Sequence, residues 1–288
     1  MAIGPNCAED PRPSPVLRAA SERRDRTLAA LRVALERGGA YLVFQPVVDA
    51  GDPAVALFHE ALLRFRDGTG REVSAREFMP AAEADEIGRE VDRTALRLAL
   101  RELADMPDLR LSVNLSARTI GDGEWMRLLR TGCAAQPAIA RRLTVELTEA
   151  SSPALPCLAR EVMAELRAAG IGLALDDFGT GHSSLAHLRD YRFDILKIDG
   201  RFVRGIEDDP DSAALVTSML GHARHFGMLA VVERVETRAE ADALRALGAG
   251  GFQGYLHGRP TARPAWRRAN LPTPPAMPPL LLTGARGR

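Results

Sequence analysis

The chain has 288 residues, 46% of them hydrophobic, with 38 basic and 38 acidic side chains. That composition supplies one large core, and the balanced charge excludes the global field that grips a nucleic acid polymer or an anionic membrane. Three scattered cysteines (Cys7, Cys133, Cys157) lack metal-ligand spacing and imply reduced thiols in a cytoplasmic protein, with neither a signal peptide nor a membrane span to argue otherwise.

Residues 1–15 are Pro-rich and polar and are expected to be disordered. A basic amphipathic helix is predicted over Val16–Arg37, stopped by Gly38-Gly39. Tyr41–Asp49 and Ala56–Phe65 read as the first two strands. Only Ala50–Val55 separates them, too short for a parallel crossover, so they are expected to form an antiparallel hairpin. Ser74-Ala-Arg-Glu77 is a capping-box pattern opening a helical region that runs to about Ala104.

A regular alternation follows. Strands are predicted at Leu109–Leu115, Leu143–Leu147, Ile171–Asp176, Asp194–Ile198, Leu229–Glu233 and Gly251–Tyr255, with helices such as Pro156–Ala169, Asp211–Phe226 and Arg238–Leu247 between them. Eight strands in βα alternation point to a closed barrel or a doubly wound sheet. The Pro-rich stretch after residue 268 ends the predicted domain (16–268), and 269–288 is expected to be a disordered tail.

Polar residues recur where these apolar strands end: Glu60, Asn114, Glu146, the pair Asp176-Asp177, Lys197, Glu233 and Gln253. From Glu60 to Gln253 they are spaced about 32 residues apart on average; eight βα units in about 250 residues predict roughly 31. A barrel gathers such residues at one mouth, whereas an open sheet spreads them along a line. Five carboxylates and an amide oxygen form an oxygen-rich set suited to Mg²⁺ or Mn²⁺. Two such cations with bridging and terminal oxygens are the layout of phosphodiester hydrolysis.

Lys197 is the only lysine in the chain. In a sequence where every other basic position is arginine, a surviving lysine marks a place that needs a compact ammonium rather than a planar guanidinium. Asn114 and Gln253 are similarly scarce types, the other glutamines being Gln45 and Gln136.

These residues carry a resemblance. Glu60-Ala-Leu-Leu-Arg64 resembles the Glu-Ala-Leu signature of the EAL-domain family of cyclic-di-GMP phosphodiesterases. The likeness continues in order through Val113-Asn114-Leu-Ser116, Glu146-Leu-Thr-Glu149, Asp176-Asp177-Phe-Gly-Thr-Gly181, Lys197-Ile-Asp199, Glu233-Arg-Val-Glu236 and Gln253-Gly254. It implies a (β/α)8 TIM-type barrel with an antiparallel first strand, hydrolysing cyclic-di-GMP to linear pGpG with two Mg²⁺ or Mn²⁺ ions per site.

On that resemblance, Glu60, Asn114, Glu146 and Asp176 hold one metal. Asp176 bridges to a second, shared with Asp177 and Glu233. Lys197 positions the hydrolytic water, and Glu233 assists its deprotonation. Arg64 contacts a substrate phosphate, with Leu63 and Gln253 also in the substrate site. Glu149 and Glu236 anchor the loop after Asp177, through which the family couples its site to a homodimer interface. With no sensor or cyclase domain among these residues, control is expected through dimerisation, the terminal segments or a separate regulator protein. The alternative is an EAL domain that holds cyclic-di-GMP or a protein partner without turnover.

The family usually has glycine where this chain has Arg234. Either Arg234 points outward by strand alternation, or the position needs a positive φ and arginine strains it. His59, and His222 with His225, invite a zinc reading, but no carboxylate has matching spacing and packed or solvated histidines are expected.

Overall fold

A computed structural model of the chain describes residues 15–83, 85–148, 156–180 and 185–267. The helix α1 (Pro15–Glu36) leads into β1 (Ala40–Asp49) and β2 (Ala56–Arg66), which pair antiparallel in the register Gln45↔Glu60. A short strand β3 (Glu72–Ser74) folds back on β2 and opens α2 (Ala75–Ala82), where the Glu77 carboxylate accepts the Ser74 N–H at 3.1 Å. Then come α3 (Ile87–Asp105), β4 (Leu111–Asn114), α4 (Gly123–Ala135), β5 (Leu143–Thr148), α5 (Pro156–Ala168) and β6 (Gly172–Phe178). The chain finishes with α6 (Leu185–Tyr191), β7 (Ile195–Ile198), α7 (Pro210–Phe226), β8 (Leu229–Val232), α8 (Arg238–Leu247) and β9 (Gly251–Gln253).

β2 and β4 to β9 run parallel, and β9 closes onto the antiparallel β1 through Val47↔Gln253. The result is a closed eight-stranded barrel with an antiparallel first strand, ringed by helices. The expected hairpin is present. The region read as one helix from Ser74 is two helices, the first ending at Ala82 and the second starting at Ile87, and α4 and α6 occupy two of the intervals between strands that were expected to be helical. The terminal tails read over 1–15 and 269–288 lie outside the described residues, apart from Pro15, which starts α1.

Two apolar layers hold the fold. The larger fills the space between strands and helices, with Trp125, Phe65, Phe78, Leu96 and Leu111 fully buried. The smaller plugs the barrel itself with Val47, Leu57, Phe58, Ala174, Ile195 and Val231. At about 25 cal/mol per Å², burying each such side chain stabilises by about 1.5–3 kcal/mol. Because β1–β2 has no crossover helix, its outer face needs another cover. Trp266 supplies part of it, edge-on to Phe44 at 5.3 Å and to His59 at 4.4 Å. That burial pushes the His59 pKa down to about 4, so this histidine is a neutral packing group.

Candidate active site

The inner plug positions the site through strand parity. Side chains two apart on a strand share a face. Phe58 therefore puts Glu60 on the inward face, Ala174 does so for Asp176, Ile195 for Lys197, and Val231 for Glu233 at the end of its strand. Register adds the rest, pairing Asn114 with Glu146, and Thr148 with Asp176. The antiparallel β1 brings Gln45 opposite Glu60. Gln253 on β9 follows the same face as Gly251 and donates its amide to Glu60 Oε2 at 2.6 Å and to Gln45 Oε1 at 3.3 Å.

Lys197 is the centre of the mouth. Its Nζ lies 2.7 Å from Glu146, 2.8 Å from Glu233, 3.1 Å from Asp176 and 3.4 Å from Glu60, with no solvent exposure. Burial disfavours the ammonium, but the carboxylates of Asp176, Glu146, Glu233 and Glu60 outweigh it and raise its pKa well above the ordinary lysine value. The lysine stays charged.

One ammonium has three N–H donors, so it cannot satisfy four carboxylates. Burial, with Glu60 and Asp176 close by, pushes Glu146 up to about 8. Burial and Asp176 hold Glu233 well above the ordinary glutamate range. Glu60 goes the other way: burial opposes ionisation, but Lys197 and the amides of Gln253 and Asn114 stabilise the carboxylate, the Asn114 amide at 2.9 Å. Protonated Glu146 and Glu233 beside ionised Glu60 are the signature of a site short of positive charge.

A second group adjoins the first. Asp177, in a left-handed conformation at φ 56°, hydrogen-bonds to Asp199, and burial with the neighbouring Asp176 and Asp199 raises it to about 6. Asp199 accepts the Arg201 N–H at 2.7 Å and faces Arg234 at 3.3 Å. Oxygens of Asp176, Asp177 and Glu233 all come within 4.8 Å of one another, close enough to hold a metal ion.

The donor set fits divalent cations. Glu146 Oε1 and Asp176 Oδ1 are buried without a hydrogen-bond partner, the latter lying only in ion-pair range of Lys197. Orphaned carboxylate oxygens in such a place are strong ligands for a hard cation. If Glu60, Glu146, Asp176, Asp177 and Glu233 all ionise, Lys197 leaves four negative charges unbalanced, which two divalent ions would neutralise.

Not every predicted site residue reaches the mouth. Leu63 is a correction: it is 4% exposed within the outer core, because parity puts it on the face opposite Glu60 and Arg64. Leu62 shares their face instead. Arg64 is half-buried, its guanidinium donating to the Leu63 carbonyl at 2.9 Å. Glu236 sits exposed before α8, its backbone N–H donating to Glu240. Glu149 and residues 181–184 of the loop it was expected to anchor lie outside the described residues. Gln45 and Asp199 were not singled out as site residues; their signals were a scarce residue type in an apolar strand and the two-residue spacing from Lys197.

A family model described as the EAL domain matches residues 28–260. The chain belongs to the EAL-domain family. Among curated relatives, this EAL domain is 32% identical over 236 residues to the bifunctional diguanylate cyclase/cyclic di-GMP phosphodiesterase MucR of Pseudomonas aeruginosa, covering 80% of this chain and 34% of that one. It is likewise 32% identical to the cyclic di-GMP phosphodiesterase PdeF of Escherichia coli, covering 80% of this chain and 31% of the relative. The chain thus spans about a third of the length of these relatives. Among solved structures, the PaMucR phosphodiesterase in complex with c-di-GMP superposes with a TM-score of 0.75 at 31% identity, covering 84% of this chain and 99% of that one. No helix among the described residues is long and apolar enough to cross a membrane.

Proposed function

We propose that this EAL domain is a metal-dependent phosphodiesterase that opens cyclic-di-GMP to linear pGpG with two Mg²⁺ or Mn²⁺ ions. The observation that carries this reading is the ring of four carboxylates around a fully buried lysine, with more acidic groups than one ammonium can balance.

Glu60, Asn114, Glu146 and Asp176 would hold one ion, and Asp176 with Asp177 and Glu233 the other. Bound there, the ions would supply Lewis acidity toward the phosphoryl oxygens and the attacking water. Gln253 and Gln45 fix Glu60 from the β1–β9 side of the barrel. Glu233, ionised once cations occupy the site, would accept the proton of the attacking water, and the burial that raises its proton affinity favours that transfer. The Lys197 ammonium donates to a phosphoryl oxygen as charge builds there. Arg64, on the Glu60 face of β2, binds a substrate phosphate. The P–O bond to one 3′-oxygen breaks, that oxygen takes a proton, and one ring opening yields a 5′-phosphorylated dinucleotide.

The resemblance extends the proposal to a homodimer built on the loop and helix after Asp177, which sedimentation of the purified chain tests. The rival reading is a cyclic-di-GMP receptor without turnover, favoured only by the left-handed Arg234 directly after Glu233. Incubation with cyclic-di-GMP and Mn²⁺, followed by chromatography, decides between them. The proposal expects pGpG; binding without product would establish the receptor.

A further inference from the structure

The segment that carries Glu233 changes neighbours just after it. The Glu233 N–H donates to the Ile198 carbonyl of β7 at 3.0 Å, whereas the Val235 N–H donates to the Gln253 carbonyl of β9 at 3.1 Å. Arg234, left-handed at φ 54°, is the turn between those two anchors. The Leu256 N–H adds a third, donating to the Val235 carbonyl at 3.2 Å. Val235 has no solvent exposure and is tied to the chain leaving β9 by both its N–H and its C=O.

Between these two ties lies Gly254. Its backbone is not left-handed, so conformation is not what requires glycine there. Space is. A Cβ on Gly254 would run into the nitrogen and the carbonyl oxygen of Val235 and lie 2.6 Å from its carbonyl carbon. Carbon atoms in contact sit about 3.5 Å apart, so a larger residue must part the two backbones by about 1 Å.

One side yields before the other. Gln253 pairs with Val47, and Phe252 with both Val48 and Val232. The Gly254 carbonyl accepts the N–H groups of His257 and Gly258, each at 3.1 Å. Val235 lies beyond the end of β8 and is held by its two hydrogen bonds. It is therefore the Val235 segment that moves, and Glu233, two residues upstream and 2.8 Å from the Lys197 ammonium, moves with it.

We infer that Gly254 is a positioning residue for Glu233: it offers a bare Cα on which the Val235 backbone rests, and so sets the Glu233 carboxylate in the mouth. The inference rests on the hydrolase reading above, in which Glu233 accepts the proton of the attacking water. A proton acceptor works only within hydrogen-bond reach, about 2.6–3.2 Å. A misplacement of about 1 Å costs on the order of 10²-fold in rate. Arg64, the phosphate-binding group of that reading, stands on β2, which pairs with neither β8 nor β9, so substrate affinity is spared.

The test is a double-mutant cycle read in Mn²⁺-supported turnover of cyclic-di-GMP, with the Tm of each chain measured alongside. Gly254→Ala is expected to lose about 10²-fold in kcat, with KM within about threefold of the native value. Glu233→Gln keeps the shape of the side chain but removes the proton acceptor, and is expected to lose about 10²–10⁴-fold. Adding Gly254→Ala to Glu233→Gln is then expected to change kcat by less than about threefold, because the displaced group no longer takes the proton. Gly250→Ala is the comparison for lost stability alone. Its Cβ would lie 2.8 Å from Leu229 Cδ1 at the opposite end of the same strand pair, so its Tm is expected to fall while its kcat stays native.

Additive losses in the cycle, or an equal loss of kcat in Gly250→Ala, would overturn the inference while leaving the hydrolase reading intact. So would a Gly254→Ala chain that turns over at the native rate, loses only in KM, or no longer folds. A native chain that yields no pGpG would overturn both.

Discussion

The Lys197 ammonium lies 2.7 Å from Glu146 Oε2, and both side chains are fully buried at the mouth of the barrel. Burying one such pair is costly, and three further carboxylic side chains (Glu60, Asp176 and Glu233) converge on the same nitrogen. Stability alone does not explain such an arrangement. A site built to be completed by cations does.

Lys197→Arg keeps the charge but replaces a compact ammonium with a longer planar group. Within 3.4 Å of four carboxylates there is no space for that fork. Turnover of cyclic-di-GMP is expected to fall by about 10²-fold or more, with substrate affinity changed much less. Steady-state kinetics separates the two. A variant within about threefold of the native rate would show that the lone lysine is an accident of composition.

The raised carboxyls make the metal-free protein sensitive to alkali. Glu146, at about 8, and Glu233, held well above the ordinary glutamate range by burial and Asp176, hold protons in the folded chain that the unfolded chain has released. The folded state then binds more protons, so stability falls as pH rises from about 6 to 8. Lys197 is charged in both states over that window and Glu60 is ionised in both, so neither reverses the slope. Cations displace those protons, so stabilisation by Mn²⁺ is expected to grow with pH. Melting curves at several pH values, with chelator and with Mn²⁺, test this. A metal-free Tm that rises across the window would contradict it.

Asp92 on α3 supports the site from behind. Its buried carboxylate accepts the Ser116 N–H at 3.0 Å and the Ser116 hydroxyl at 2.6 Å, clamping the turn that leaves β4 just after Asn114. Asp92→Ala orphans those donors and is expected to cost about 1–3 kcal/mol in denaturant unfolding and to lower kcat with Asn114 displaced. Asp92→Asn retains an acceptor and is expected to cost less. An alanine variant of native stability and rate would refute the role.

The candidate site was largely legible because each parallel strand ends on the mouth, where a polar residue interrupts an apolar run. Asn114, Glu146, Asp176, Lys197, Glu233 and Gln253 follow that rule, Glu60 sits mid-strand in β2 within its motif, and all seven converge. Gln45 escaped it because, like its partner Glu60, it sits mid-strand, and no motif marked it. Leu63 was misplaced because a motif read as a block ignores alternation, which sends neighbours to opposite faces. The three residues of β3 carry too little alternation to be seen. The conformation of Arg234 depends on hydrogen bonds to two different strands, which no local pattern encodes.

Loss of single ligands should abolish chemistry without unfolding the barrel. Glu60→Ala and Asp176→Asn each remove an oxygen donor while leaving the apolar plug of Phe58, Ala174 and Ile195 intact. Both variants are expected to melt cooperatively near the native temperature and to yield no pGpG. Full activity in either would refute the assignment.

The most direct measurement titrates Mn²⁺ into the metal-free chain while cyclic-di-GMP and pGpG are followed by chromatography. The two-cation account predicts no product without metal and turnover that appears only as the second equivalent is taken up. Full activity with one equivalent, or with a chelator present, would contradict it.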